Sequence, residues 1–404
     1  MPSVTDPELN PRVAAMQPSA TLAMSARAKA LVRAGKPVIE LSAGEPDFDT
    51  PAPICEAGRR AIDEGHTRYT ANAGTPALRE AIVRKLRDDN GLTYSPAEIL
   101  CSNGAKQSVA QAIFVLCRPG DEVVIPAPYW VSYPEMVQLA GGESVIVETT
   151  PESGYRMGPD ELAAALTERT RIVVLNSPSN PTGAVYSRAE LEALAEVLRG
   201  RDDVFVVSDE IYERVIYDAE HVSFAALDGM RERTVTVNGF SKAYAMTGWR
   251  LGYLAAPAWI VEAASTMQGQ FTSAPSAITQ QAGIAALAMD PEPIRQMVRA
   301  FRERRDFVLG ALTAIPGVQC PTPEGAFYVF PDVSAYFGRT APSGRAVANS
   351  EDLCFYLLEE HDVALVPGDA FGAPYGIRLS YAASTDDLRE AMRRISAGLG
   401  ALQA

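Results

Sequence analysis

The sequence predicts an α/β protein: a large domain on a mostly parallel seven-stranded sheet covered by helices, plus a smaller α+β domain. Two observations carry this reading. Up to about residue 290, seven short β-branched runs alternate with helical stretches, and some, such as Ile172 to Leu175, are continuously apolar. Strands buried on both faces read this way, because helices cover a parallel sheet from both sides. Beyond residue 290 the texture changes to one long charged helix, then short strands and two more helices.

The elements follow in chain order. Residues 1–25 read as an irregular arm, with prolines at 2, 7, 11 and 18. Residues 26–45 are assigned, together with 291–404, to the small domain, and 46–290 to the large one. The seven strand runs are 98–102, 121–125, 143–148, 171–176, 203–208, 233–238 and 250–255. The helix after residue 187 announces its own start, since Ser187 and Glu190 form a capping box ahead of Leu191, Leu194 and Leu198 on one face. In the small domain, helices are expected at 291–314, 350–360 and 385–402, with strands near 327–331, 363–366 and 377–381.

Charge and composition exclude several classes of function. The 404 residues carry a net charge of −14, and only five of the 36 basic residues are lysines. An acidic surface repels phosphate backbones, so nucleic acid is not an expected partner. No apolar run is long enough to span a bilayer, and the first residues lack a basic-then-apolar signal pattern. Five scattered cysteines make no disulfide framework, and histidines at 66, 221 and 361 are too few for a zinc cluster or a histidine triad. The expectation is a cytoplasmic protein with neither a membrane partner nor a metal.

Several segments could carry chemistry. Lys242 follows a strand end in an apolar setting, where desolvation would lower its pKa and make the amine nucleophilic; the bland alternative is a surface lysine. Asp209 ends a buried run, where open α/β sheets bind ligands, and could hold a ring nitrogen protonated; equally it could cap a helix. Tyr212 follows three residues later. Gly104 and Ala105 open a helix whose free N–H groups suit a phosphate, or simply make a tight turn. Arg250 and Arg378 sit in apolar strand runs, where a guanidinium needs either an anionic ligand or a structural ion pair. Trp130 could stack on a flat ring or fill the core, and Asn180 lies in a turn-rich loop after a strand. Together these supply amine, carboxylate, phosphate cradle, ring stack and carboxylate clamp, the parts a pyridoxal phosphate site needs.

The motifs SAGEPDFDTP (42–51), RYTANAGTPALREAI (68–82), NGAKQ (103–107), PYWVSYPEM (128–136), NSPSNPTG (176–183), SDEIYE (208–213) and SKAYAMTGWRLGY (241–253) go further. Through them nearly the whole chain resembles the class I aminotransferases of pyridoxal-phosphate fold type I, in the bacterial aspartate aminotransferase branch. The resemblance implies that Lys242 forms the aldimine with pyridoxal 5'-phosphate and moves the proton between Cα and C4′. It implies that Asp209 pairs with the pyridine nitrogen, that Asn180 and Tyr212 bond the ring hydroxyl, and that Trp130 stacks on the ring. Gly104, Ala105, Ser241 and Arg250 are implied to hold the phosphate, with Tyr69 of the partner subunit reaching in, hence a homodimer with shared sites. Gly44 and Arg378, with Asn180 and Trp130, are implied to bind the substrate and its α-carboxylate, and Lys106 with Thr21 its acidic side chain.

Two positions depart from the family pattern. Many relatives have serine three residues before the lysine, where this chain has Gly239, and some dicarboxylate-specific relatives have lysine in place of Gln17. The implied reaction moves an amino group between L-aspartate and 2-oxoglutarate, giving oxaloacetate and L-glutamate. Prephenate or a broader set of amino acids is the alternative substrate. A lyase or decarboxylase on the same fold, and a regulator carrying such a module, are weaker rivals.

Overall fold

The computed structural model describes residues 9–403. All seven expected strands lie in one sheet: β1 (Ile99–Ser102), β2 (Glu122–Ala127), β3 (Glu143–Glu148), β4 (Thr170–Asn176), β5 (Phe205–Asp209), β6 (Thr234–Gly239) and β7 (Gly252–Ala255). Their spatial order is β1-β7-β6-β5-β4-β2-β3, and β7 alone runs antiparallel to its neighbours. The carboxyl ends of the other six therefore share one edge with the amino end of β7. That edge is where the chemistry gathers.

Helices cover both faces, as the apolar runs require. On one face Val109, Ala112 and Ile113 of the helix Ala105–Leu116 pack on Val123, Val174 and Val207. On the other, the helix Arg188–Arg199 buries Leu191, Leu194 and Leu198 against Val173 and Val206. Its start is the expected capping box between Ser187 and Glu190.

A second cluster gathers the C-terminal elements. The helices Glu292–Thr313, Ser350–His361 and Thr385–Ala401 pack Phe301, Leu357 and Ile395 around a small antiparallel sheet. Its strands are β8 (Tyr328–Val329), β9 (Val366–Pro367) and β10 (Ile377–Ser380), in the order β9-β10-β8. Met24 and Ala28 join this cluster from the N-terminal side, and Ile39–Glu40 pairs in parallel with Val363–Ala364.

The arm differs from expectation. Pro11–Ala14 is a short helix and a longer one, Ala20–Arg33, begins behind the cap Ser19, so residues 20–25 are helical. The prolines at 11 and 18 stand at or before helix starts, where a missing N–H costs nothing. Residues 1–8, with Pro2 and Pro7, lie outside the described residues. The five cysteines are unpaired, and no helix among the described residues is long and apolar enough to cross a membrane.

Candidate active site

At the shared strand edge a cavity of about 390 Å³ opens between the large sheet and the small one. Of the residues singled out in the sequence, Thr21, Gly44, Ala105, Lys106, Trp130, Asn180, Asp209, Tyr212, Ser241, Lys242, Arg250 and Arg378 line it. Gly104, the residue before Ala105, is not among those that line it. Tyr69 is 97% exposed and stays outside the cavity of its own chain.

Lys242 follows β6 and reaches across to donate a hydrogen bond to the carbonyl of Gly44. Burial lowers its pKa to about 8, and the positive charges of Arg378 and Arg250 add to the effect against Glu45 and Asp209. An amine so poised is partly neutral, and hence nucleophilic, near physiological pH.

Asp209 ends β5 and is only 4% exposed. It is followed by a turn, so it caps no helix. Its carboxylate accepts from the Tyr133 hydroxyl at 2.8 Å and from the Ile211 N–H at 3.3 Å. Burial nonetheless raises its pKa to about 6, because those two bonds offset only part of the desolvation. A cationic ring facing it would complete the neutralisation.

Arg378 lies on β10, 2% exposed, between the rings of Tyr328 at 4.7 Å and Phe371 at 5.1 Å. It donates to Asn180 Oδ1 at 3.0 Å and to the Ser42 carbonyl at 2.6 Å, while its Nε has no partner. Among the described residues no carboxylate pairs with it. The structural ion pair is thereby ruled out, and a buried unpaired guanidinium calls for an anionic ligand.

Arg250 corrects the sequence reading. It is exposed and precedes β7 in a left-handed turn at φ 58°, rather than lying within a strand. Because β7 runs antiparallel, its amino end places Arg250 at the same edge as the other groups. The guanidinium donates to the carbonyls of Thr247 at 2.9 Å and Asn103 at 3.2 Å, beside the start of the helix Ala105–Leu116.

That helix start has no side-chain cap, and Gly104 precedes it at φ 91°. A Cβ on Gly104 would stand 2.4 Å from an Arg250 nitrogen, and one on Gly252 would stand 2.3 Å from the Ala105 nitrogen. Only glycines let the loop, the strand and the guanidinium converge into an anion cradle. The same crowding accounts for Gly239, which pairs with Gly252 across β6 and β7. A Cβ there would meet Gly252 Cα and the Leu251 carbonyl at 3.0 Å. Ser241 lines the cavity instead.

Trp130 is half-buried and packs edge-on against Tyr133, ring centroids 5.2 Å apart. The Lys106 ammonium stands 5.0 Å from the Trp130 centroid with no hydrogen-bond or ion-pair partner among the described residues, and burial together with Arg250 lowers its pKa. Gln17 uses its backbone N–H to bond Glu135 at 3.1 Å and is not in the cavity wall.

Three wall residues that hydrogen-bond the predicted ones through their side chains escaped the sequence reading. Tyr133 holds Asp209, and Asn176 donates to the Asp209 carbonyl at 2.9 Å and accepts from the Asn180 N–H at 2.8 Å. Both fall inside quoted motifs, but only Asn176, which closes β4, carried the signal of a polar residue at a strand end. Tyr328, which shares a 2.8 Å hydroxyl contact with Tyr212, stands in an apolar run of the small domain and carried no such signal.

Known proteins share this architecture. Residues 36–395 match the family described as aminotransferase class I and II. A bifunctional aspartate aminotransferase and glutamate/aspartate-prephenate aminotransferase of Petunia hybrida is 54% identical over 98% of this chain and 83% of its own length. The crystal structure of an aspartate aminotransferase from Rhizobium meliloti superposes with a TM-score of 0.95 at 45% identity, covering 98% of this chain and 100% of that one. An aspartate aminotransferase from Thermus thermophilus with maleate gives 0.91 at 44% identity, covering 96% and 99%. With matching sequence, fold and coverage, this chain belongs to the class I and II aminotransferases.

Proposed function

We propose that this aminotransferase moves the amino group between L-aspartate and 2-oxoglutarate, with pyridoxal 5'-phosphate as coenzyme and as a homodimer sharing its sites. One relationship carries the reading. Within the segment Ser42 to Gly44, the Gly44 carbonyl holds the Lys242 ammonium and the Ser42 carbonyl holds the Arg378 guanidinium. An α-amino acid held with its amine toward Lys242 would turn its carboxylate toward that guanidinium.

The residues present fit the coenzyme. Gly104, Ala105, Ser241 and Arg250 form the cradle for its phosphate, with Tyr69 of the partner subunit as a further donor. Trp130 would cover the ring, Asn180 and Tyr212 would bond its hydroxyl, and Asp209 would pair with its nitrogen. When bound, the coenzyme supplies an electron sink that makes the substrate Cα proton acidic. The chain's own work is then positional and protonic. Arg378 and Gly44 fix the α-carboxylate, and Lys242 moves the proton at Cα. Lys106, with Thr21, takes the distal carboxylate at the cavity mouth.

A dicarboxylate is favoured because Lys106 adds a second cation without a partner to the cavity that Arg378 lines, and the Thermus relative was solved with the dicarboxylate maleate. Prephenate also carries two carboxylates, and the Petunia relative bears its name, so it is the second substrate to test. The experiment is a screen of amino donors against oxo acids, read as spectral change of the bound coenzyme. Aspartate and glutamate should react far faster than neutral donors, and 2-oxoglutarate should reverse the change. Equal rates with alanine, or products of β-elimination or decarboxylation, would overturn the assignment.

A further inference from the structure

Behind the turn that carries Asp209 and Tyr212 lies a second set of buried charges. Asp209 and Tyr212 line the cavity, whereas Glu210 and Glu213, interleaved with them, do not. Glu210 is 1% exposed; its carboxylate accepts from Ser208 Oγ at 2.9 Å and Ser223 Oγ at 2.6 Å, and from His221 Nε2 at 3.0 Å. Glu213 pairs with Lys85 of the helix Pro76–Asn90 and accepts from Asn90 Nδ2 at 2.9 Å. His221 Nε2 stands 4.0 Å from Glu213 as well, so one imidazole bridges both acids.

The arithmetic of this cluster is balanced. Two carboxylates face one ammonium and one imidazole, and protonating His221 brings the sum to zero. Burial alone would raise the Glu213 pKa, yet Lys85 and His221 hold it at about 2. Burial alone would lower that of His221, yet Glu210 and Glu213 carry it above its usual value. The other titratable groups packed around are Tyr94, Tyr244 and Tyr253, all kept neutral by burial, and Arg214, which pairs with Asp89. Glu210, Glu213 and His221 offer ligand atoms within 4.8 Å of one another, but the Lys85 ammonium already supplies the cation that such a group would seek. The charge of Glu210 also reaches Asp209, where it opposes ionisation.

We propose that Lys85, Glu210, Glu213 and His221 form a charge-balanced positioning network that fixes the Asp209–Tyr212 turn from behind and sets how strongly Asp209 holds a proton on the coenzyme. The proposal rests on the reading of the cavity as the pyridoxal phosphate site. Each member acts through Asp209, and none touches the cavity. Removing one charge leaves its buried partners unbalanced, and the sign of the residual charge decides the direction of the effect at the coenzyme.

The test is the pH titration of the bound coenzyme's visible absorbance in the full-length protein loaded with pyridoxal 5'-phosphate. Glu210→Gln removes a negative charge and should move the midpoint down by about half a pH unit; His221→Gln removes a positive charge and should move it up by a similar amount. The double variant should return close to wild type, since it loses one charge of each sign. Lys85→Gln against Glu213→Gln repeats the comparison, up and down respectively, should either first variant fail to fold. Midpoints that move the same way in a pair, or that do not move while the coenzyme stays bound, would overturn the proposal. A wild-type protein that acquires no coenzyme band would instead overturn the reading of the cavity.

Discussion

Arg378 and Asn180 stand 198 residues apart in the chain and meet through a 3.0 Å hydrogen bond from guanidinium to side-chain oxygen. Asn180 follows β4 of the large sheet and Arg378 lies on β10 of the small one, so the bond ties the two sheets together across the cavity. Asn180 and the Ser42 carbonyl orient the fork without neutralising it. Arg378→Lys keeps the charge but loses the planar fork. It should lower kcat/KM for aspartate and alanine alike by about 2–3 kcal/mol of transition-state binding, with coenzyme still bound. A loss confined to aspartate would mean that Arg378 reads the side chain instead.

Lys106 gives the complementary pattern. Lys106→Ala should cost aspartate and 2-oxoglutarate about 2–3 kcal/mol in kcat/KM, the loss of one charge-assisted hydrogen bond, and leave alanine nearly unchanged. Steady-state kinetics with both donors in both proteins checks this. Equal losses would place the ammonium on the coenzyme.

The sequence made the sheet legible because all its strands but the edge strand β3 are buried on both faces, so their apolar runs stand out from the amphipathic helices between them. The site residues at strand ends were legible for the same reason: a polar residue closing an apolar run, such as Asp209, is conspicuous, although Asn176, which closes another such run, went unread. Arg250 was misplaced by about two residues because a turn with positive φ leaves no mark on an arginine. Residues 20–25 looked irregular because prolines at 11 and 18 suggested a broken segment, although each stands where a helix tolerates it. Tyr328 and Tyr133 were invisible for a different reason. Each matters through a hydroxyl contact with a residue distant in sequence, and no local pattern records that.

The raised pKa of Asp209 predicts a pH-dependent cost in the coenzyme-free protein. The folded state holds this proton up to about pH 6, whereas the unfolded chain releases it near the ordinary carboxylate value of 3.8. Between these values the folded state binds more protons, so stability falls as pH rises and the full cost remains above pH 6. Asp209→Asn should therefore stabilise the coenzyme-free protein at neutral pH by up to about 3 kcal/mol, and hardly at all below the ordinary carboxylate value. Thermal melts at acid and neutral pH check it; equal stabilisation at both would show that the desolvated charge is not the cause.

Lys242 titrates from the other side. With its pKa near 8, the neutral amine fraction rises about tenfold per pH unit below that value and levels off above it. The rate at which coenzyme-free protein captures pyridoxal 5'-phosphate covalently should follow this curve. A rate still climbing steeply toward the ordinary lysine value of 10.5 would mean that the cavity does not depress this lysine.

The most direct test of the central claim is the half-reaction. Coenzyme-loaded enzyme is mixed with L-aspartate in the absence of any oxo acid, and bound-coenzyme absorbance and released oxaloacetate are measured together. The account predicts one oxaloacetate per site, complete conversion of the coenzyme spectrum, and full reversal on adding 2-oxoglutarate. Lys242→Ala should still bind coenzyme reversibly but be slower by several orders of magnitude. No oxaloacetate from the wild type, or wild-type speed in Lys242→Ala, would contradict it.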